Sequence, residues 1–145
     1  SVSDAQGLAV QTRRMLEVID TVSGQGPCVI GGDLNTAAFA ELRRSGTEIL
    51  ANPAPTEPAF AAFQDAGFSW QSANAPGITT RAGPGRSVRY PLLKLDWLFV
   101  RGVVASDPAI FPAVCDRGDY LSDHELITAL VALCPRVWFA TAVPA

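Results

Sequence analysis

The sequence is poor in the residues that build metal–sulfur sites, and it lacks the apolar runs that cross membranes. Its three cysteines lie far apart with no CxxC spacing, and it has a single histidine, which argues against a zinc site of the Cys/His type. An odd number of cysteines also excludes a disulfide framework that is fully paired within one chain. No segment approaches the ~20 successive apolar residues of a transmembrane helix, so we expect no membrane span.

Charged residues are scarce, at 17% of 145, and the formal net charge is −3. So few charges in a chain that is 48% hydrophobic favour a folded domain over disorder. The acidic balance argues against a dedicated nucleic-acid binder, which usually carries a basic face. Four basic residues nevertheless precede any acid in the second half of the chain: Arg81, Arg86, Arg89 and Lys94. Such a basic loop is suited to an anionic substrate, or is simply a solvated, flexible loop.

Hydrophobic periodicity predicts helices that alternate with strands, and hence an α/β fold. Three segments have the apolar spacing or flanking signals of helices: 4–22, 37–45 and 57–66. Four segments have the character of strands: 27–30, 92–100, 108–114 and 126–133. We expect the first, second and fourth of these strands to be buried, and the prolines of the third indicate an edge strand. Residues 74–91 hold three glycines and three prolines, which predicts a loop.

Polar residues interrupt three of these apolar strands at or near their ends. The clusters are Gly31-Gly32-Asp33-Leu34-Asn35, Leu95-Asp96-Trp97 and Leu121-Ser122-Asp123-His124. Each cluster alone has an ordinary explanation, because Asp-x-Asn and Ser-Asp sequences are common in turns and caps. Together they supply a carboxylate, a carboxamide, a strand carboxylate and an Asp-His pair, and this set is suited to the hydrolysis of a phosphoester.

In this order, the clusters resemble the motifs of the endonuclease/exonuclease/phosphatase superfamily of metal-dependent phosphodiesterases, nucleases and phosphatases. Gly32-Asp33-Leu34-Asn35 is similar to its Gly-Asp-Phe/Leu-Asn motif, and Leu95-Asp96-Trp97 with Arg101 is similar to its Leu-Asp-Trp/Tyr strand. Ser122-Asp123-His124 is similar to its terminal Ser-Asp-His. The match runs from about residue 5 to 133. It implies part of a four-layer α/β/β/α sandwich, in which two sheets bury each other's faces.

The resemblance also implies catalytic roles for four residues. Asp33 orients or deprotonates the attacking water, and Asn35 donates a hydrogen bond to a phosphate oxygen. His124 contacts the phosphate or shuttles a proton, while Asp96 fixes the imidazole tautomer through the other ring nitrogen. We therefore predict a hydrogen bond between Asp96 and His124. We also predict that these four residues and Asp123 converge in one cleft at the C-terminal ends of strands.

A divalent cation is the cofactor that the resemblance implies. Asp123 is the expected ligand, with Asp33 close by, and Mg²⁺ is the expected ion with Mn²⁺ as an alternative, because hard cations prefer carboxylate oxygens. The four basic residues Arg81, Arg86, Arg89 and Lys94 are the candidates for binding the anionic substrate. The substrate itself stays open among DNA, RNA, phospholipid and soluble phosphoesters, with duplex DNA the least favoured.

The resemblance covers only the C-terminal half of the superfamily's catalytic domain, here residues 1–135, followed by an apolar tail over 136–145. The family's N-terminal segment supplies an Asn, a metal-binding Glu and a catalytic-site His or Tyr, and no residue here matches that Glu motif. We therefore expect an exposed apolar sheet face that an N-terminal half or a second copy covers. We also expect weak or no Mg²⁺ binding by this chain alone. The alternative is a non-catalytic or degenerate binding or scaffold module of the same fold.

Overall fold

The described part of the chain is a mixed α/β arrangement of helices and two small antiparallel sheets. A computed structural model describes residues 2–35, 57–81 and 93–133. The predicted helix over 37–45, the larger part of the predicted loop 74–91 and the apolar tail 136–145 lie outside these residues. None of the helices within the described ranges is long and apolar enough to cross a membrane.

Both helices that the apolar spacing predicts within the described ranges are present. Helix α1 spans Val2–Ser23 and helix α2 spans Pro58–Asp65, and the two helices pack against each other. The side chain of Glu57 caps α2 and a proline occupies its first turn, where the missing N–H costs no helical hydrogen bond. Helix α2 ends before Gly67, whose φ of 80° is a conformation that glycine adopts readily.

The first sheet pairs strand β1, Cys28–Asp33, with strand β2, Asp96–Arg101, in antiparallel fashion. Strand β2 begins later than the predicted strand over 92–100, because the chain over 93–95 is not part of the regular ladder. The register places Cys28 opposite Arg101 and Asp33 opposite Asp96. The end of β1 and the start of β2 therefore lie side by side.

The second sheet pairs strand β3, Val103–Phe111, with strand β4, Leu126–Leu133, also in antiparallel fashion. The predicted bounds of 108–114 for the third strand are wrong, since the strand begins earlier and ends at Phe111. Its pairing shifts register between Ser106 and Ala109, and Asp107 within that step has a φ of 49°. The irregularity accommodates Pro108, which has no N–H to give to the ladder.

The expectation that the strands over 27–30 and 126–133 are buried is wrong. Val29 in β1 is 47% exposed, and Leu130 in β4 is 65% exposed. Each strand instead has one face toward the rest of the protein, as antiparallel sheets permit. One face of the β3–β4 sheet packs Ala105 against Val100, while large apolar residues of the other face are exposed. The exposed residues of that second face are Val104, Phe111, Leu126 and Leu130.

An aromatic cluster forms the main core between α2 and β2. The ring of Phe60 lies 4.7 Å from that of Trp97 and 5.1 Å from that of Trp70, both in edge-to-face geometry. Phe63 stacks on Phe99 at 3.7 Å between ring centroids. All of these side chains are at most 2% exposed. Because Trp97 and Phe99 are alternate residues of β2, the cluster holds this strand against the helix.

Arg101, at the end of β2, links that strand to both helices. Its guanidinium donates to the Asp20 carboxylate at 2.8 Å and to the Gly24 carbonyl at 2.7 Å, at the end of α1. It also donates to the Ala66 carbonyl at 3.2 Å and lies 4.6 Å from the centre of the Phe68 ring. These bonds satisfy carbonyls near the two helix ends and fix one end of β2.

Replacing Phe60 by Ala should lower the free energy of unfolding by about 3–5 kcal/mol, because a fully buried ring is lost from the aromatic cluster. Urea denaturation followed by tryptophan fluorescence measures this change. Val22→Ala is the control, since Val22 is 83% exposed, and it should change stability by no more than about 0.5 kcal/mol. Equal stability of the Phe60→Ala variant and the wild type would contradict the packing described here.

Candidate active site

The candidate site lies where β1 ends and β2 begins. Asp33 is the last residue of β1 and Asp96 is the first residue of β2, and the two are paired in the register. The predicted location at the C-terminal ends of strands is therefore wrong for Asp96, because antiparallel pairing brings the end of one strand to the start of the next. His124 also precedes its strand, β4, rather than following one.

The turn after β1 holds the Asp33 carboxylate in place. The backbone N–H of Asn35 donates to Oδ1 of Asp33 at 2.7 Å, and Asn35 has a φ of 48°, which asparagine tolerates better than most residues. At Gly31, two residues before Asp33, a Cβ would lie 2.8 Å from Cδ2 of Leu98, so a side chain there would require the Leu98 side chain to move. Asn35 is exposed, and its donation to a phosphate stays a prediction.

His124 lies between the two carboxylates. Its Nδ1 is 2.8 Å from Oδ2 of Asp96, which confirms the predicted hydrogen bond. Its Nε2 is 3.9 Å from Oδ2 of Asp33. The side chains are 27% exposed for His124, 16% for Asp96 and 35% for Asp33, so the cluster is half-buried and open to small molecules on the Asp33 side.

The carboxylates favour the charged form of the imidazole. The hydrogen bond that Nδ1 of His124 donates to Asp96 raises the pKa of His124 above its ordinary value of 6.5, and burial opposes the shift. The negative charges of Asp96, Asp33 and Asp123 raise this pKa further. In its protonated form, which the carboxylates favour, His124 can present an N–H at Nε2 to an anionic oxygen.

Arg81, one of the predicted substrate-binding residues, is held by the carboxylate of Glu125. Its Nε is 2.9 Å from Oε1 and its Nη2 is 2.7 Å from Oε2, and the guanidinium lies 4.5 Å from the centre of the Tyr120 ring. Oε2 of Glu125 also accepts the backbone N–H of Ala113 at 2.9 Å. Although burial opposes it, these hydrogen bonds hold the pKa of Glu125 below its usual value. The pair thus holds the chain directly after His124, and the substrate role of Arg81 stays a prediction.

The other basic candidates are placed differently. Lys94 is 3% exposed, and its Nζ lies 4.7 Å from the centre of the Trp97 ring. Burial lowers the pKa of Lys94 to about 8, while the charge of Asp96 opposes the shift. The amino group of Lys94 therefore lies inside the protein and not on its surface. Arg86 and Arg89 lie outside the described residues, and the binding role of all three stays a prediction.

The described residues do not by themselves form a complete metal site. Across ranges 2–35, 57–81 and 93–133, no group of three or more His, Cys, Asp or Glu side chains is placed to hold a metal ion. Asp123 is half-buried, and its backbone carbonyl accepts the N–H of Arg81 at 2.8 Å. The carboxylate of Asp96 is already bonded to His124. The role of Asp123 as a metal ligand stays a prediction.

Comparisons of the chain with protein-family models, with curated proteins and with solved structures give no match. The function of the chain is therefore inferred from its side chains and their geometry. What the described residues provide is an imidazole between two carboxylates, one hydrogen-bonded to Nδ1 and the other near Nε2. Sequence reasoning missed Glu125 and gave no role to the buried Thr79. An acid directly after His124 was the available signal for the first of these.

The imidazole of His124 should titrate above pH 6.5 in the wild type, and Asp96→Asn should lower its pKa. The physical reason is the loss of the carboxylate that stabilises the imidazolium. NMR of the ring C–H signals from pH about 5 to 9 measures this without assignment problems, because the chain has one histidine. Asp123→Asn is the control and should lower the pKa less, since Asp123 acts by charge alone. An unchanged pKa in Asp96→Asn would contradict the described hydrogen bond.

Proposed function

We propose that the chain carries part of the catalytic site of a divalent-metal-dependent phosphoester hydrolase, of the phosphodiesterase, nuclease or phosphatase type. The fold we propose is the C-terminal part of a four-layer α/β/β/α sandwich. The observation that carries the proposal is the hydrogen bond of Asp96 to Nδ1 of His124, with Nε2 turned toward Asp33. The order of the three sequence clusters supports the same function.

A phosphoester resists hydrolysis because its anionic oxygens repel a nucleophile. A protonated His124 offers an N–H at Nε2 to one of these oxygens, and the carboxylate of Asp96 stabilises the positive charge. Asp33, 3.9 Å away, accepts a proton from water as the water oxygen bonds to phosphorus. The bond from phosphorus to the leaving oxygen then breaks, and His124 is the donor nearest to protonate that oxygen. Asn35 donates to a second phosphate oxygen.

The metal belongs to the proposal through the resemblance. When bound, a divalent cation neutralises charge on the phosphate. Asp123 is the described carboxylate that we propose as a ligand, and the remaining ligands would come from outside the described residues. We propose that an N-terminal half of the same domain, or a second copy, supplies them. This scheme applies equally to any phosphoester substrate.

This chain alone should bind Mg²⁺ weakly, with a dissociation constant on the order of millimolar or higher, because few carboxylates leave the ion mostly hydrated. Isothermal titration calorimetry of the 145-residue chain measures the affinity. Asp123→Asn should remove whatever specific binding is present. Arg117→Gln, which removes a side chain that is 89% exposed and lies 3.9 Å from the Asp119 carboxylate, should not weaken it. Micromolar binding that survives Asp123→Asn would contradict the assignment of Asp123.

The chain should hydrolyse a generic phosphodiester, bis(p-nitrophenyl) phosphate, slowly and only with Mg²⁺ or Mn²⁺ present. Asp33→Asn and His124→Gln should each reduce this turnover by about 100-fold or more, as expected for the loss of a positioned acid or base. Release of p-nitrophenolate is the readout, and Arg117→Gln is the control with unchanged turnover.

The alternative of a non-catalytic module has a separate signature in the same assay. A folded wild-type chain with no turnover, whose His124 ring signals do not move when inorganic phosphate is added, would reject the hydrolase. Turnover that is the same in the wild type and in His124→Gln would reject this site as its source. Phosphate-dependent shifts of the His124 signals, lost in Asp96→Asn, are the expected result.

A further inference from the structure

Thr79 is a fully buried threonine whose hydroxyl contacts the start of β2. Its Oγ1 accepts the backbone N–H of Leu95 at 2.9 Å and that of Asp96 at 3.0 Å. Its own N–H donates to the carbonyl of Leu93 at 2.9 Å. Thr79 therefore bonds to three residues at the start of β2 and just before it: Leu93, Leu95 and Asp96. At 0% exposure these bonds have no competition from water.

The backbone of the same segment also holds the chain around His124. The carbonyl of Thr79 accepts the N–H of Glu125 at 2.8 Å, and the N–H of Arg81 donates to the carbonyl of Asp123 at 2.8 Å. These two bonds lie on either side of His124 in the chain. Thr80 forms an isolated bridge with His124 between them.

We infer that Thr79 is the positioning residue of the Asp96–His124 pair. Asp96 and His124 are 28 residues apart, and Thr79 bonds to the backbone of Asp96 on one side and to the residue after His124 on the other. Its hydroxyl therefore sets where the Asp96 carboxylate lies relative to the ring. The inference rests on the proposed function only where activity is the readout.

A side chain without the hydroxyl would leave the part-buried N–H groups of Leu95 and Asp96 without this acceptor. Such a loss has to be relieved by a shift of the chain at Leu95 and Asp96 or by admission of water. Either change moves the carboxylate away from Nδ1 of His124, which is 2.8 Å distant in the intact site. Serine keeps the oxygen, so it should keep the geometry.

The experiment compares Thr79→Val and Thr79→Ser in the full chain. Thr79→Val should weaken the hydrogen bond between Asp96 and Nδ1 of His124, and it should shift the ring ¹⁵N signals away from those of the tautomer with the proton on Nδ1. It should also reduce kcat for bis(p-nitrophenyl) phosphate by about tenfold with little change in KM, as expected for a misplaced catalytic pair. Thr79→Ser should restore both readouts. Thr12→Val, at a second buried threonine, is the control and should move neither.

Two further comparisons keep the inference open to refutation. If Thr79→Val does not fold, Thr79→Ala set against Thr79→Ser isolates the oxygen without adding a methyl group beside the two amides. Unchanged ring ¹⁵N signals of His124 in a folded Thr79→Val or Thr79→Ala variant would overturn the positioning role, even if turnover depends on His124. If the wild type shows neither turnover nor a phosphate-dependent shift of the His124 signals, the proposed function fails, while the ring ¹⁵N signals still decide the role of Thr79.

Discussion

Two carboxylates face each other across one rung of the β1–β2 ladder, and the imidazole between them makes that arrangement tolerable. Asp33 and Asp96 are paired in the register, and like charges opposite each other in a sheet are normally unfavourable. His124 lies 2.8 Å from one carboxylate and 3.9 Å from the other, so its positive charge offsets their repulsion. This compensation requires three segments to lie together: the loop that carries His124, the turn after β1 and the start of β2.

The rest of the described structure holds β2 in place in its middle and at both of its ends. The aromatic cluster around Phe60 fixes the middle of β2, and Arg101 fixes its far end to both helices. At the near end, Thr79 holds the backbone of Asp96, while the Arg81–Glu125 pair fastens the segment before β4. Mutational damage to the site can therefore originate far from it, through any change that lets β2 slide against its neighbours.

Local signals predicted the helices and the partner of His124, but not the direction of the strands. The spacing of apolar residues indicated α1, and the order of the clusters indicated the Asp96–His124 bond. A strand pattern has the same period in parallel and antiparallel sheets, so the sequence did not reveal that Asp96 begins its strand. Burial of β4 was overestimated because an apolar run resembles a buried strand whether or not another layer covers it. The engagement of Arg81 by Glu125 depends on tertiary contacts across 44 residues, which spacing alone does not reveal.

The distance along the chain between the members of the charged cluster has a consequence for how the protein folds. Asp33 and His124 lie far apart in the chain, and the β1–β2 pairing joins segments that are separated by the whole of α2 and its flanks. Contacts of such high contact order close large loops and form late, after local structure such as α1 and the β3–β4 pairing. In a folding intermediate that has its helices and its second sheet in place, the pKa of His124 would still be that of an ordinary histidine. The titration of one imidazole would then report the last step of assembly.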